Sequence, residues 1–295
     1  MLLVTGGAGF IGSHLVQAAL ARGQAVRVLD DLSSGRPERL PPDAELLVGD
    51  ITDPVAVKDA MQGVTHVAHL AALRAVPRSV AQPLDTDRVN SHGTLSVLDA
   101  AKQAGARRVV VTSSSSIYGA AATLPTPETA RPRPASPYAG SKLAGEHYAE
   151  VYAGLFGLST VSLRLFNVYG PGQSPDGPYA QLVPRTLQAL RNGERPVVYG
   201  NGTQSRDLVY VDDVVGAFLV ALDSDVTGTL NVGSGRATTV LDVVKAAGGH
   251  ETNVQWLPER PGDVPHTCAD ITAIEQALGW RPTVDLADGL RRTAS

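Results

Sequence analysis

Apolar residues along the chain fall into short runs separated by polar, glycine-bearing turns. Leu2-Leu3-Val4 is the first run and reads as a buried strand. Residues 11–20 then carry a helical period. Further β-branched, apolar runs occupy 24–29, 44–48, 66–70, 107–112 and 160–165. Helical patterns occupy 54–61, 85–104 and 137–156, the first with Pro54 near its start. Strands alternating with helices predict an α/β fold with one parallel sheet and right-handed crossovers. After Asn167 the pattern loosens. A turn-rich stretch over 170–178 is followed by shorter helices at 184–191, 212–222 and 239–247. Asp212 and Asp213 precede an apolar helical run and are expected to cap it.

The first turn is Thr5-Gly6-Gly7-Ala8-Gly9-Phe10-Ile11-Gly12-Ser13. A glycine turn between a strand and a helix is built to cradle a pyrophosphate. The glycines permit a tight turn, close backbone approach and close helix packing, and the helix offers free N–H groups to the anion. The second strand ends at Asp30, about 20 residues on, where an acid meets the 2′-hydroxyl of an adenosine ribose. A carboxylate there repels a 2′-phosphate, so the expected cofactor is NAD and not NADP. These features predict a Rossmann-type doubly wound parallel sheet with a smaller C-terminal substrate lobe. The boundary is placed between 1–166, binding NAD, and 167–295, mainly a substrate lobe with some segments returning to the first domain. The turns at 6–13, 30–31, 50–51, 70–72 and 113–118 then share the carboxyl edge of the sheet, where such folds bind ligands.

Composition narrows the function. The 295 residues are 43% hydrophobic and 18% charged, which suits a globular enzyme with a sizeable core. A net charge of −4 without a basic run gives no case for nucleic acid. No apolar stretch is long enough to span a membrane, and the first strand begins where a secretory signal would lie. The single cysteine, Cys268, lacks both a disulfide partner and metal-ligand spacing, so no metal is expected. A cytoplasmic protein is the expectation.

Candidate chemistry sits in two places. Tyr138 and Lys142 are four apart on a predicted helix and share a face. A phenol becomes a base near neutral pH when its pKa falls by about 3 units, which costs roughly 4 kcal/mol of differential interaction. A lysine and a bound nicotinamide would supply two positive charges for that shift. The second place is Ser113-Ser114-Ser115-Ser116, at the carboxyl end of the fifth strand, where a hydroxyl can hold a substrate oxygen.

Together these motifs resemble the extended short-chain dehydrogenase/reductases, within them the NAD-dependent nucleotide-sugar epimerase/dehydratase family. The resemblance spans nearly the whole chain. It rests on the glycine turn, Gly49-Asp50-Ile51, His69-Leu70-Ala71-Ala72, Asn90-x-x-Gly93-Thr94, the serine run and Tyr138-Ala139-Gly140-Ser141-Lys142. It continues through Arg164-x-Phe166-Asn167-Val168-Tyr169-Gly170-Pro171, Gln204-x-Arg206-Asp207 and Glu259-Arg260-Pro261-Gly262-Asp263. The resemblance implies roles. Tyr138 is the acid/base, Lys142 binds the nicotinamide ribose, and Ser114 holds the sugar oxygen. Gly6, Gly9, Phe10, Ile11, Gly12, Asp30, Asp50, Ile51, Leu70, Ala71, Ala72 and Asn90 contact the cofactor. Ser115, Ser116, Asn167, Arg206 and Arg260 contact a UDP-sugar. A homodimer joined by the helices at 85–104 and 137–156 is implied as well.

The reaction turns on residues 115 and 116. Related 4,6-dehydratases carry Asp-Glu there and related UDP-glucuronate decarboxylases Ser-Glu, whereas this chain has Ser115-Ser116. Without the extra carboxylate, the expected reaction is 4-epimerisation through a transient 4-keto sugar. Ser-Ser-Ser before Ile-Tyr-Gly resembles UDP-glucuronate 4-epimerases, and Arg185 is placed to meet a C6 carboxylate. The expected substrate pair is UDP-glucuronic and UDP-galacturonic acid, with UDP-glucose/UDP-galactose as the alternative. A decarboxylase and a non-catalytic NAD-binding regulator stand behind these, the latter class usually lacking the Tyr/Lys pair.

Overall fold

The computed structural model describes residues 1–175, 181–259 and 264–294. In chain order the strands are β1 (Leu2–Thr5), β2 (Val26–Asp30), β3 (Glu45–Val48), β4 (His66–His69), β5 (Arg108–Ser114) and β6 (Ser159–Leu165). They continue as β7 (Asn167–Tyr169), β8 (Val197–Tyr199), β9 (Ser205–Tyr210), β10 (Gly228–Val232), β11 (Ala237–Thr239) and β12 (Gln255–Leu257). Seven of these described strands form one sheet in the order β10-β6-β5-β4-β1-β2-β3. Every pairing in it is parallel. The order reverses between β1 and β4, which opens a crevice at the carboxyl ends of those two strands.

The sheet is buried on both faces, which explains why its strands are mainly apolar. In β1, Leu2 and Val4 enter one core with Val28, Ala68, Val110 and Phe218. Leu3 points the other way, into a core with Leu29, Val67, Val109 and Val111. The second half of the chain contributes to this layer. Strand β10 adds to β6, and the Val211–Leu222 helix packs against the Phe10–Ala21 helix. Smaller sheets, β11-β9-β7 and β12-β8, stand at the carboxyl edge.

Two local expectations are corrected. The predicted helix at 85–104 is interrupted. A helix over Pro83–Asp87 passes through a π-turn at Arg88–His92 before resuming at Gly93–Gln103. That widened turn rotates Asn90 inward. Neither Asp212 nor Asp213 caps the Val211–Leu222 helix, whose N-cap is Tyr210. Both lie in its first turn, where the dipole favours an acid. Asp213 grips the C-terminal segment, accepting from the Thr283 N–H at 2.9 Å, the Thr283 hydroxyl at 2.8 Å and the Val284 N–H at 3.1 Å.

Candidate active site

A cleft of about 1420 Å³ runs along the carboxyl edge of the large sheet. Its floor begins at the glycine turn. Gly6 has φ +70°, and Gly12 packs so tightly that a Cβ would lie 2.2 Å from the Gly6 carbonyl oxygen. The first helical backbone bond is donated by Ser13 to the Gly9 carbonyl, at 3.1 Å. The N–H groups of Phe10, Ile11 and Gly12 therefore have no acceptor within the helix. No side chain caps this terminus and no acid stands in its first turn. Those residues fit a dinucleotide pyrophosphate.

Asp30 is buried beside this turn. Its two carboxylate oxygens accept from the Ala8 and Leu32 N–H groups, each at 2.9 Å. Burial pushes its pKa up, while these two backbone bonds pull it down. The carboxylate thereby ties the glycine turn to the end of β2. Asp50 and Ile51 line the next stretch. Against the penalty of burial, Thr52 and Arg88 hold Asp50 below the usual carboxylate range. Leu70, Ala71 and Ala72, at the end of β4, face the same space. Asn90 does not line the cleft. Its Oδ1 accepts from the Leu73 N–H at 2.8 Å, and its Nδ2 donates to the Leu73 carbonyl and the Ser141 hydroxyl, each at 3.1 Å. It holds the 70–73 loop against the Pro137–Phe156 helix.

That helix starts where the sequence stops it from starting earlier. The Ser136 hydroxyl accepts from the Ala139 N–H at 3.1 Å, and Pro137 occupies the first helical position. Tyr138 therefore sits in the first turn, half-buried at the cleft, where the Ser114 side chain pulls the phenol down. The Ser114 hydroxyl itself accepts from the Ser116 N–H at 3.2 Å and the Ser116 hydroxyl at 2.9 Å. A hydroxyl has two acceptor sites and one proton. Ser116 thus holds Ser114 in place, and Ser114 favours the phenolate.

Lys142 lines the same cleft and is buried. Its ammonium donates to the Thr112 carbonyl at 2.9 Å, at the end of β5. Burial pushes it down to about 8, opposed by Glu146. Burial also pushes the Tyr138 phenol up, and the groups opposing this are Ser114 and Arg74. Arg74, which sequence reasoning missed, lines the cleft two residues beyond Ala72. A count of cations just past the recognised strand ends is the signal that finds it.

The remaining predicted residues separate into groups. Ser115, Ser116, Asn167, Arg185 and Arg206 all line the cleft. Arg206 donates to the Ser205 carbonyl at 2.9 Å and the Pro265 carbonyl at 3.2 Å. Arg260 lies outside the described residues. Thr112 Oγ1 and Ser113 Oγ are buried in the floor without a partner among the described residues, and a polar ligand group would satisfy them. Cys268 is buried and its thiol is pushed up to about 11 by burial, so it is a poor nucleophile. His69 is held between the Thr5 and Thr94 hydroxyls and pushed down to about 3 by burial, hence neutral. Among the described residues there is no candidate metal cluster, and no helix is long and apolar enough to cross a membrane.

Known proteins share this sequence pattern and fold. The model of the NAD dependent epimerase/dehydratase family matches residues 2–233. A UDP-glucose 4-epimerase of Mycolicibacterium smegmatis is 41% identical, over 99% of this chain and 96% of its own. The structure of the Thermotoga maritima UDP-glucose 4-epimerase with UDP-glucose has a TM-score of 0.95 and 38% identity, covering 99% of this chain and 97% of that one. MoeE5 in complex with UDP-glucuronic acid and NAD has a TM-score of 0.89 at 38% identity, with the same coverage. MoeE5 has also been solved with UDP-glucose and NAD. With its glycine cradle, its cleft at the switch point and this likeness over its whole length, the chain belongs to the NAD-dependent epimerase/dehydratase family, and NAD is its cofactor.

Proposed function

We propose that this NAD-dependent nucleotide-sugar 4-epimerase interconverts UDP-glucose and UDP-galactose. The observation that carries the reading is that Tyr138 and Ser114 line the cleft together, at the end of a strand whose next residues, Ser115 and Ser116, bear no carboxylate. A step beyond oxidation and return at C4 has no acid/base group there. Tyr138 takes the C4 hydroxyl proton, and Ser114 holds the same oxygen. When bound, NAD would supply the hydride acceptor and donor for C4. Lys142 holds the nicotinamide ribose. Asn167, Arg206 and Arg260 anchor the UDP while the 4-keto sugar turns over, the arginine forks suiting a diphosphate. Residues 1–166 carry the cofactor and 167–295 mainly the nucleotide sugar, β10 and the Val211–Leu222 helix excepted.

The neutral sugar replaces the acid sugar as first choice because the Mycolicibacterium and Thermotoga relatives are named for UDP-glucose. UDP-glucuronate stands as the second reading, since Arg185 lines the cleft. Incubation of the NAD-loaded protein with UDP-glucose, UDP-glucuronate and TDP-glucose, followed by chromatography of the C4 epimers, decides between them. Turnover of UDP-glucuronate alone would overturn the first reading. The Arg185→Ala variant sharpens this. It leaves UDP-glucose turnover near the parent value, but costs about 10–100-fold in kcat/KM on any acid sugar, the worth of one charge-assisted hydrogen bond.

A homodimer and a cytoplasmic location belong to the same proposal. The Pro83–Asp87 and Pro137–Phe156 helices pack together and expose Leu84 (84%), Val151 (50%) and Leu155 (70%). Apolar side chains this exposed on adjacent helices fit a second copy of the chain. The Leu84→Glu/Leu155→Glu double variant is expected to sediment as a monomer with its far-UV spectrum intact.

A further inference from the structure

Behind the cleft lies a buried ionic pair. Glu146 follows Lys142 by one helical turn and shares its face. It is 1% exposed, and Arg164 on β6 is 5% exposed. Arg164 clamps it with two parallel bonds, Nε to Oε1 at 2.9 Å and Nη2 to Oε2 at 2.8 Å. The guanidinium is itself fixed, donating to the Tyr118 hydroxyl at 2.9 Å and the Glu128 carbonyl at 3.0 Å. Tyr118 in turn donates to Asn231 Oδ1 on β10 at 2.7 Å.

A pair this deep is weak evidence for stability, because desolvation cancels much of its attraction. Its placement serves Lys142. An ammonium on a residue only 8% exposed needs a counter-charge. A free carboxylate one turn away would bond that ammonium directly and draw it from the cleft floor. A carboxylate with both oxygens held by Arg164 cannot swing. It acts on Lys142 through space, while the ammonium stays on the Thr112 carbonyl.

We propose that Glu146, pinned by Arg164, is a positioning residue that keeps the Lys142 ammonium charged and turned toward the cleft floor. The inference rests on the reading of Lys142 as the group that holds the cofactor ribose. The titratable and charged groups around Lys142 are Tyr138 and Glu146 on its own helix, His69 at the end of β4 and Arg164 behind Glu146. His69 is neutral at the pH of interest, which leaves Glu146 as the charge that favours the ammonium.

The test is a pH titration of the NAD-loaded protein with 13Cε-labelled lysine, read by NMR. Lys142 is told apart from Lys58, Lys102 and Lys245 by its loss in a Lys142→Met sample. In Glu146→Gln the Lys142 midpoint is expected to fall by about one pH unit, as when a nearby opposite charge is removed, while the other lysines stay put. Tyr118→Phe removes one strut of Arg164 and keeps the Glu146 charge. It is expected to lower the melting temperature without moving the midpoint. An unmoved Lys142 in Glu146→Gln, or an equal move in Tyr118→Phe, would overturn the proposal. Should Glu146→Gln not fold, Glu146→Gln/Arg164→Met leaves no unpaired guanidinium behind Lys142 and must still lower the midpoint. The readout is a titration and needs no turnover, so a wrong choice of sugar leaves it intact.

Discussion

Replacing Tyr138 by phenylalanine is expected to lower kcat by about 10²–10⁴-fold, the usual worth of a positioned acid/base, while NAD binding persists. In energy that is about 3–5 kcal/mol of transition-state stabilisation, at 1.36 kcal/mol per tenfold. The variant keeps the ring and loses only the hydroxyl, whose pKa Ser114 lowers. Packing in the first turn of the Pro137–Phe156 helix is untouched, and so is the Ser136 cap that fixes its start. The loss should therefore fall on kcat, with KM for the UDP-sugar little changed. Burial raises the phenol, so its ionisation leans on Ser114 and Arg74 together with the positive charge of the oxidised nicotinamide. Steady-state kinetics alongside a fluorescence titration with NAD separate the two effects. A variant that kept full turnover would remove Tyr138 from the mechanism.

The second large effect belongs to Gly12. A Cβ there would stand 2.2 Å from the Gly6 carbonyl oxygen and 2.7 Å from the Gly7 Cα, both backbone atoms that cannot rotate aside. Gly12→Ala must either push the Phe10–Ala21 helix off the turn or open the turn itself. Overpacking of this kind costs about 1–3 kcal/mol of stability. The cost to NAD is larger in consequence, because the displaced atoms include the N–H groups of the pyrophosphate cradle. We expect NAD binding to weaken by at least 100-fold, since about 3 kcal/mol corresponds to two decades. Gly140→Ala is the matched control. Gly140 lies in the same helix as Tyr138 and Lys142, yet nothing stands within 4 Å of its Cβ position. That change should be neutral or stabilise by up to about 1 kcal/mol, through helix propensity. Equal NAD affinities in the two alanine variants would refute the steric account of the turn.

Much of this was legible along the chain for local reasons. Strands buried on both faces are mainly apolar, so β1, β2 and β5 announced themselves as valine- and leucine-rich runs, and β4 and β6 by shorter apolar stretches. The glycine turn is a matter of backbone sterics within eight residues. Tyr138 and Lys142 share a face because a helix turns every 3.6 residues. The acid sugar was the weakest expectation, since it rested on one arginine and a serine run whose surroundings a sequence does not show.

What the sequence by itself determined was the succession of strands and helices, the pyrophosphate cradle and the family, all fixed by periods and spacings of a few residues. Tertiary structure alone decided where the charges act. It brought Arg74 to bear on Tyr138, sent Lys142 to the Thr112 carbonyl, and turned Asn90 inward at the π-turn. It set Asp213 to gripping the segment at 283–284, and joined Glu146 to Arg164. Each of these depends on how a distant segment returns to the sheet. Pairings of that kind follow from the packing of the whole chain, and burial then sets how strongly each charge is felt.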